Sequence, residues 1–239
     1  MKRGNQVYEG KAKIIYATDD DRHCIMYFKD DATAFDGAKK GTIVEKGILN
    51  NRISTTLFTL LAEKGIPTHL VEVLSDREVL VKKVDIIPVE VVVRNIVAGS
   101  LSKRMGRPEG ESLAFPIVEY YYKDDSLHDP MINRDHVLAF SLATGEQIDR
   151  AREMALKIND ILRQYFLDRG ILLVDFKLEF GLFGGEVLLA DEICPDTCRL
   201  WDAESLEKMD KDRFRRDLGK VEEAYLEVCR RVCGTDGEL

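Results

Sequence analysis

Acidic side chains alternate with one lysine along residues 173–181, and two more acidic residues follow at 191–192. Side chains two residues apart on a strand point to the same face, so Asp175, Lys177 and Glu179 share one face. Carboxylate oxygens are the ligands that Mg²⁺ prefers, and bound Mg²⁺ commonly also takes substrate phosphates as ligands. We therefore expect a site for a divalent cation and a phosphate on this segment.

The pair Gly184-Gly185 lies between two apolar runs, and this pattern predicts a β-hairpin. With a two-residue loop, the strand register would place Asp191 opposite Leu178, on the face away from Glu179. For Asp191 and Glu179 to hold one metal ion, we expect a three-residue loop or a β-bulge, which Gly185 can adopt.

Two other segments contain residues suited to phosphate. In residues 8–13, Gly10 allows a ligand to approach the backbone closely, and Lys11 and Lys13 follow it. This segment matches neither a P-loop nor G-x-G-x-x-G, and its residues alone favour an edge strand with solvated lysines. Gly99-Ser100 precedes a short predicted helix at 101–106, whose free N–H groups suit a phosphate.

The apolar run at 88–98 carries Glu90 and Arg94 on one face, with Val89, Val91 and Val93 on the other. The two charged side chains either pair with each other or hold a ligand, and the residues alone do not decide between these. A single histidine in a polar loop, His128, is more often structural than a general base, so we assign it no role.

The elements that must position these residues follow from periodicity. Strands are predicted at 7–17, 24–29, 69–74, 78–83, 88–97 and 117–123, and helices at 48–64, 144–168 and 221–232. Thr144 and Gln147 fit a capping box at the start of the second helix. Residues 30–37 and 194–201 have loop composition, and the mixed-charge run 208–216 is typical of a solvated helix face. Strands before about residue 100 and a mixed second half predict an α+β protein in two lobes.

Composition excludes several classes of protein. A formal net charge of -8 argues against general nucleic-acid binding. No apolar run approaches the roughly 20 residues that span a bilayer, and no apolar signal segment follows Met1. The five cysteines, Cys24, Cys194, Cys198, Cys229 and Cys233, form an odd set that favours reduced thiols in a cytoplasmic protein. Their spacing is wider than that of a structural zinc knuckle, and buried free thiols are the better interpretation.

Taken together, these segments resemble the SAICAR synthetase (phosphoribosylaminoimidazole-succinocarboxamide synthase) family of purine biosynthesis. The segments that carry the resemblance are YEGKAK (8–13), LVKK (80–83), PVEVVVRN (88–95), AGSL (98–101), HDPM (128–131), LVDFKLEFG (173–181), Asp191-Glu192, Pro195-Asp196 and Arg199-Leu-Trp201. They cover essentially the whole chain in order, which is far more specific than any one of them.

The resemblance implies that this chain joins L-aspartate to the carboxylate of the nucleotide CAIR through an acyl phosphate, while ATP becomes ADP and phosphate. It implies an antiparallel N-terminal lobe like that of protein kinases at 1–84, a larger mixed lobe at 85–239, and ATP in the cleft between them. It also implies a homodimer with small-molecule partners and no nucleic acid or membrane.

The resemblance further implies roles for individual residues. ATP would contact Gly10, Lys11, Ala12, Lys13, Lys82, Lys123 and Glu179. The substrate nucleotide would contact Asp36, Glu90, Arg94, Ser100, Arg199 and Arg215. Asp175 and Lys177 would be catalytic, and Glu179 and Asp191 would hold Mg²⁺. Phe35 stands where the family pattern has a smaller residue, which leaves the role of Asp36 open.

Two other classes of function fit parts of this pattern. A kinase-like phosphotransferase acting on a hydroxyl would use the same acidic residues, but it has no need for the phosphate-binding set of Arg94, Ser100 and Arg199. A non-catalytic nucleotide sensor would tolerate the loss of Asp175 and Lys177, and this chain has both.

Overall fold

The computed structural model describes residues 1–34 and 39–234. The first third of the chain contains β1 (Arg3–Glu9), β2 (Lys13–Thr18), β3 (His23–Phe28), β4 (Asp31–Ala34), β5 (Lys39–Thr42), α1 (Lys46–Glu63), β6 (Leu70–Val73) and β7 (Glu78–Lys82). The rest contains β8 (Asp85–Ile96), α2 (Gly99–Met105), β9 (Ser112–Tyr122), β10 (Met131–Ile132), α3 (Arg134–Ala139), α4 (Gly145–Leu167), β11 (Ile171–Phe183), β12 (Glu186–Ala190), β13 (Cys198–Asp202), α5 (Asp212–Arg215) and α6 (Val221–Cys233). The fold is mixed α+β with antiparallel sheets, as the sequence predicts.

The first sheet has the strand order β1-β2-β3-β7-β6. The single strand predicted at 7–17 is wrong, because the chain turns back at residues 10–12 and forms the β1–β2 hairpin. In that hairpin Tyr8 pairs with Ile15, and the Gly10 N–H donates to the Lys13 carbonyl at 2.9 Å. The turn therefore lies at the end of the β1–β2 strand pair, beyond the last paired residues Glu9 and Ile14.

Two segments predicted as loops contain strands. Asp31–Ala34 forms β4, which pairs with β5, so a small separate hairpin precedes α1. Cys198–Asp202 forms β13, which pairs with the first half of β11. Both strands are short and carry polar residues, so hydrophobic periodicity does not reveal them.

The second sheet has the order β10-β9-β8-β11-β12, and β13 pairs with β11 on the same side as β12. One face of this sheet is apolar, because Val89, Val91 and Val93 of β8 are all buried. The predicted long helix α4 packs within the same core and begins with the expected capping box between Thr144 and Gln147. The opposite face of the sheet is left for polar side chains.

The change of sheet falls between Lys82 and Asp85, close to the expected lobe boundary. Helix α1 nevertheless packs within the core of the second sheet, through buried residues such as Leu57 and Leu61. Within the described ranges, no helix combines the length and apolar character needed to cross a bilayer.

Candidate functional site

A cavity of about 1540 Å³ is lined by residues of both sheets. The lining includes every sequence-predicted site residue that the structure describes: Gly10, Lys11, Ala12, Lys13, Lys82, Glu90, Arg94, Ser100, Lys123, Asp175, Lys177, Glu179, Asp191, Arg199 and Arg215. Asp36 and its neighbour Phe35 lie outside the described residues. The fold thus brings together side chains that are up to 205 positions apart in sequence, from Gly10 to Arg215.

Strand register explains how the second sheet presents these groups. In the β8–β11 pair, Asp175 lies opposite Arg94 and Glu179 lies opposite Glu90. Every second residue of each strand, counted from Asp175 and Arg94, therefore faces the cavity, and the residues between them pack towards the core. The predicted alternation is confirmed along 175–180, and Lys177 occupies the middle of the row that Asp175, Lys177 and Glu179 form. It is wrong at Val174, which packs with Ala98 and Trp201 instead of with Phe176, because the pairing with β13 is irregular between Leu173 and Asp175.

The acidic residues of this face are paired with lysines. Lys177 Nζ lies 2.7 Å from Glu90 Oε1 and 2.8 Å from Glu179 Oε1, and Lys123 Nζ lies 2.9 Å from the same Glu179 oxygen. Burial disfavours the charged form of Lys177, but Glu179 and Glu90 together hold its pKa well above the ordinary value. Glu90 pairs with Lys177, whereas Arg94 pairs with Glu119 and Asp175. The alternative that Glu90 and Arg94 pair with each other is therefore wrong, and ligand binding by them stays a prediction.

The hairpin between β11 and β12 has a tight two-residue turn, since Phe183 pairs with Glu186 and Glu179 pairs with Ala190. The expected three-residue loop or bulge is therefore wrong. Regular pairing ends at Ala190, and Asp191 adopts a left-handed backbone with φ 61°. The backbone at Asp191 thus leaves the strand geometry on which the register argument depended.

Asp191 forms an ion pair with Lys13 of the first sheet, and Lys13 Nζ also lies 3.1 Å from Glu192 Oε2. Burial disfavours the Asp191 carboxylate, yet Lys13 and Lys177 hold its pKa below the ordinary range. The same lysines act on Glu179, whose pKa is also lowered despite burial and the nearby Asp191 charge. Both carboxylates therefore remain ionised within one group of cations.

These two carboxylates suit magnesium in their donor chemistry. Mg²⁺ is typically held by one or two carboxylates together with substrate phosphates, rather than by a cage made of protein alone. In residues 1–34 and 39–234, no three His, Cys, Asp or Glu side chains form a metal-binding cluster. Lys13, Lys123 and Lys177 compensate the negative charge of the two carboxylates in this structure.

At the other end of the row, Asp175 accepts hydrogen bonds from two arginines. Arg94 Nη1 lies 2.8 Å from Asp175 Oδ2, and Arg199 Nη1 lies 2.9 Å from the same oxygen. Arg94 Nη2 also donates to the Ser100 hydroxyl at 2.9 Å. A planar guanidinium is well suited to a phosphate, so this group can bind one.

Helix α2 approaches Arg199 closely at its first residue. Gly99 has φ 53°, and a Cβ built there would lie 2.5 Å from Arg199 Nη2. Only glycine fits this position without displacing the guanidinium, both for its backbone angle and for its lack of a side chain.

Sequence reasoning missed several charged residues that support the arginines. Glu119 is buried and accepts from Arg94 Nε at 2.7 Å. Asp212 accepts from Arg199 Nε at 2.9 Å and from Arg215 Nη1 at 2.7 Å. The prediction of a solvated helix face at 208–216 is wrong for Asp210 and Asp212, which are buried. The available sequence signal for Glu119 was its period-two spacing with Ile117 and Tyr121, which places the three side chains on one face of the strand.

The sequence left His128 and the five cysteines without a catalytic role. His128 caps a short 3-10 helix (Asp125–Leu127) and does not line the cavity. Cys24, Cys194, Cys198 and Cys229 are buried free thiols, as expected, and Cys233 is exposed.

A cleft with arginines at one end and lysine-compensated carboxylates at the other has the charge distribution that suits phosphorylated ligands. The family model described as SAICAR synthetase matches residues 6–232. The chain therefore belongs to the SAICAR synthetase family of ATP-dependent ligases in purine biosynthesis.

Individual relatives agree with this family. The phosphoribosylaminoimidazole-succinocarboxamide synthase of Persephonella marina is 56% identical over 238 residues, which are 100% of both chains. The crystal structure of the same enzyme from Ehrlichia chaffeensis has a TM-score of 0.95 and 48% identity, covering 98% of this chain and 100% of that one. A SAICAR synthetase solved in complex with ADP is 52% identical with a TM-score of 0.95, again covering 98% and 100%.

Proposed function

We propose that this chain joins the amine of L-aspartate to the carboxylate of CAIR, with ATP converted to ADP and phosphate through an acyl phosphate. The order of groups along β11 carries the proposal: Asp175 lies among arginines, Glu179 lies among lysines, and Lys177 is between them. At about 3.3 Å per residue, roughly 13 Å separates the two ends of this row. That length accommodates a nucleotide phosphate at one end and the phosphates of ATP at the other.

The nucleotide end would hold the CAIR phosphate through Arg94, Ser100 and Arg199. Charge-assisted, paired hydrogen bonds from guanidinium groups fix both the position and the orientation of a phosphate. Arg215 is supported by the same Asp212 that holds Arg199, and we assign it to this substrate as well. We also keep Glu90 near CAIR, and Asp36 as a substrate contact in the part of the chain that the structure does not describe.

The ATP end would be covered by the β1–β2 turn. Gly10 and Ala12 allow the backbone to approach the phosphates, and Lys11 and Lys13 supply positive charge. Lys82, at the end of β7, would lie beside the adenine, and Lys123 and Glu179 would contact the rest of the nucleotide. The ADP complex of a 52% identical relative supports nucleotide binding in this fold. On this view residues 1–84 form a kinase-like lobe above the cleft and residues 85–239 form the catalytic lobe.

The first step would be attack of a CAIR carboxylate oxygen on the γ-phosphorus of ATP, with ADP as the leaving group. Lys177 and Lys13 would stabilise the negative charge on the transferring group. In the second step the aspartate nitrogen would attack the acyl carbon, and phosphate would leave with the oxygen that came from CAIR. Asp175 would accept a proton from the ammonium group of aspartate, so that the neutral amine is the nucleophile.

The donor set fits Mg²⁺, which Glu179 and Asp191 would hold together with phosphate oxygens. When bound there, the ion would neutralise charge on the ATP phosphates during phosphoryl transfer. Lys13 and Lys123 would then balance the remaining negative charge of the two carboxylates and the phosphates.

A hydroxyl kinase and a nucleotide sensor are weaker candidates. A hydroxyl kinase has no need for two arginines and a serine that converge at the far end of the cleft. A sensor has no need for Lys177, whose charge is balanced between Glu90 and Glu179 at the centre of the row.

One assay separates the three functions. The purified protein with ATP, Mg²⁺, CAIR and L-aspartate should release phosphate only when both CAIR and aspartate are present, and the product should contain both. A Lys157→Met variant, altered on the exposed side of α4, should behave like the wild type. Phosphate release that does not depend on aspartate would contradict the ligase function.

The family resemblance also supports a homodimer in the cytoplasm, with no nucleic-acid or membrane partner. Sedimentation equilibrium should then give twice the chain mass of 27.2 kDa. A monomer at micromolar concentration would contradict the dimer.

A further inference from the structure

Lys211 is a buried cation on the wall of the cavity, beside the loop that follows β12. Its side chain is only 12% exposed, and it lines the cavity together with Thr197 and Arg215. Its backbone is fixed at both ends, since its N–H donates to the Pro195 carbonyl and its carbonyl accepts from Arg215 N–H at 2.9 Å. The position of the Lys211 backbone is therefore set by main-chain hydrogen bonds and does not depend on the charge of its side chain.

The charge of Lys211 is poorly compensated. Its nearest carboxylate is Asp196, and the two charged groups are 3.9 Å apart, beyond hydrogen-bonding distance. Asp196 is already bonded to Lys46 Nζ at 2.5 Å and to the Tyr225 hydroxyl at 2.7 Å. Burial lowers the pKa of Lys211 below its ordinary value, and Asp196 offsets this only in part. Within residues 1–34 and 39–234, Lys211 Nζ forms no hydrogen bond.

A second cation lies one helical turn along the chain. Arg215 faces the same cavity, and Asp212 engages only one end of its guanidinium, through Nη1 at 2.7 Å. The two cations are spaced by four residues. Because Arg215 would bind the CAIR phosphate, Lys211 forms a separate seat for a second anion. A buried ammonium without a hydrogen-bonded acceptor is costly, so an anionic ligand would be favoured there.

The seat is close to the reacting centre. The Lys177 N–H donates to the Thr197 carbonyl at 2.9 Å, so the loop that carries Asp196 and Thr197 runs directly beside β11. Lys39 of β5 contacts the neighbouring helix α5, because its Nζ donates to the Phe214 carbonyl. A small anion held by Lys211 would thus lie in the same cavity as Lys177, beside the loop that packs against the middle of β11.

The geometry points to Lys211, one helical turn from Arg215, as the binding site for a carboxylate of the incoming amino acid. This inference rests on the proposed ligase function, in which the attacking amine belongs to a dicarboxylic amino acid. The CAIR phosphate is the other candidate anion. However, Arg94, Ser100 and Arg199 already form a group of donors that can hold one phosphate. Lys211 offers a single point charge, which suits one carboxylate.

The test is a Lys211→Met variant, which keeps most of the side-chain volume and removes the charge. The KM for aspartate should rise about 10- to 100-fold, as expected for the loss of a charge-assisted hydrogen bond, while the KM values for ATP and CAIR should change less than about threefold. Lys211→Arg should recover part of the loss, because it restores a cation. Lys157→Met is the control, since Lys157 is exposed on α4.

Other outcomes separate this inference from the proposed function. If the KM for CAIR rises instead, Lys211 binds the nucleotide and the inference is wrong. If all three constants are unchanged, the inference also fails while the ligase function stands. If the wild type shows no aspartate-dependent phosphate release, the proposed function itself fails. Thermal unfolding of Lys211→Met should stay close to that of the wild type, and a large loss of stability with all KM values raised together would indicate a structural role and overturn the inference.

Discussion

Arg199 Nη1 lies 3.0 Å from Asp175 Oδ1 and 2.9 Å from Asp175 Oδ2, across the paired strands β13 and β11. Arg94 approaches the same carboxylate from β8 on the other side. If these arginines bind the substrate phosphate, the phosphate competes with Asp175 for the same N–H donors. Substrate binding would then loosen the hold on Asp175.

Asp175→Asn tests the proposed role of Asp175 as the base. The variant keeps the size of the side chain but removes the charge, so turnover should fall at least about 100-fold, the usual range for loss of a positioned base. ADP affinity, measured by calorimetry, should stay within about twofold, because Asp175 lies at the nucleotide-substrate end of the row. Asp149→Asn, at an exposed ion pair with Arg134, is the control. Near wild-type turnover would show that Asp175 is not the base.

Gly99→Ala should weaken binding of the CAIR phosphate. The added methyl group would lie 2.5 Å from Arg199 Nη2, so the guanidinium must move. Gly106→Ala is a matched control: Gly106 also has a positive φ, 61°, but a Cβ there would meet nothing within 4 Å. Both variants carry similar backbone strain of about 1 kcal/mol, so a rise in the KM for CAIR of about 10-fold is expected only for Gly99→Ala. An equal effect in both variants would show that strain, rather than Arg199, is responsible.

Glu179→Gln should raise the Mg²⁺ concentration needed for half-maximal activity by about 10-fold or more, because a neutral amide is a poorer ligand than a carboxylate. The measurement is a Mg²⁺ titration of phosphate release after removal of divalent ions with chelator. Glu186→Gln, on the exposed start of β12 in the same hairpin, should leave the titration unchanged. An unaltered Mg²⁺ requirement in Glu179→Gln would remove Glu179 from the metal site.

Much of this site was accessible from the sequence because it depends on one strand. Period-two alternation along β11 placed Asp175, Lys177 and Glu179 on one face, and the structure has them there. The hairpin register failed for a local reason. The prediction assumed an extended backbone up to Asp191, whereas that residue has the left-handed conformation, which no periodicity reveals in an aspartate.

The supporting charges were missed for a different reason. Asp210, Lys211 and Asp212 lie in a run of mixed charge, and local sequence cannot distinguish an exposed run from one buried by distant strands. Here Asp210 accepts from the Leu200 N–H of β13 at 2.8 Å, a contact that exists only in the tertiary structure. The turn at Gly10 was similarly hidden, because its flanking residues continue the strand pattern.

Asp210 should make stability depend on pH. Burial and the neighbouring Asp212 charge raise the pKa of Asp210 to about 7. Between about pH 4 and pH 7 the folded protein then holds one more proton than the unfolded chain at this group, so stability from Asp210 is present at low pH and falls as the pH rises. Urea unfolding should be measured for the wild type and for Asp210→Asn from about pH 4 to pH 7. The difference in the free energy of unfolding, wild type minus variant, should decrease as the pH rises. Other titrating groups contribute to both proteins, and a difference that is flat or rises with pH would contradict the raised pKa.

The most direct measurement of carboxylate activation follows the oxygen atoms. CAIR labelled with ¹⁸O in its carboxylate should be incubated with ATP, Mg²⁺, L-aspartate and the wild-type protein, and the released phosphate should be analysed by mass spectrometry. An acyl phosphate requires that one carboxylate oxygen leave with the phosphate, so we expect one ¹⁸O atom in each phosphate formed. Phosphate without ¹⁸O, released together with SAICAR, would contradict transfer of the γ-phosphoryl group to the CAIR carboxylate.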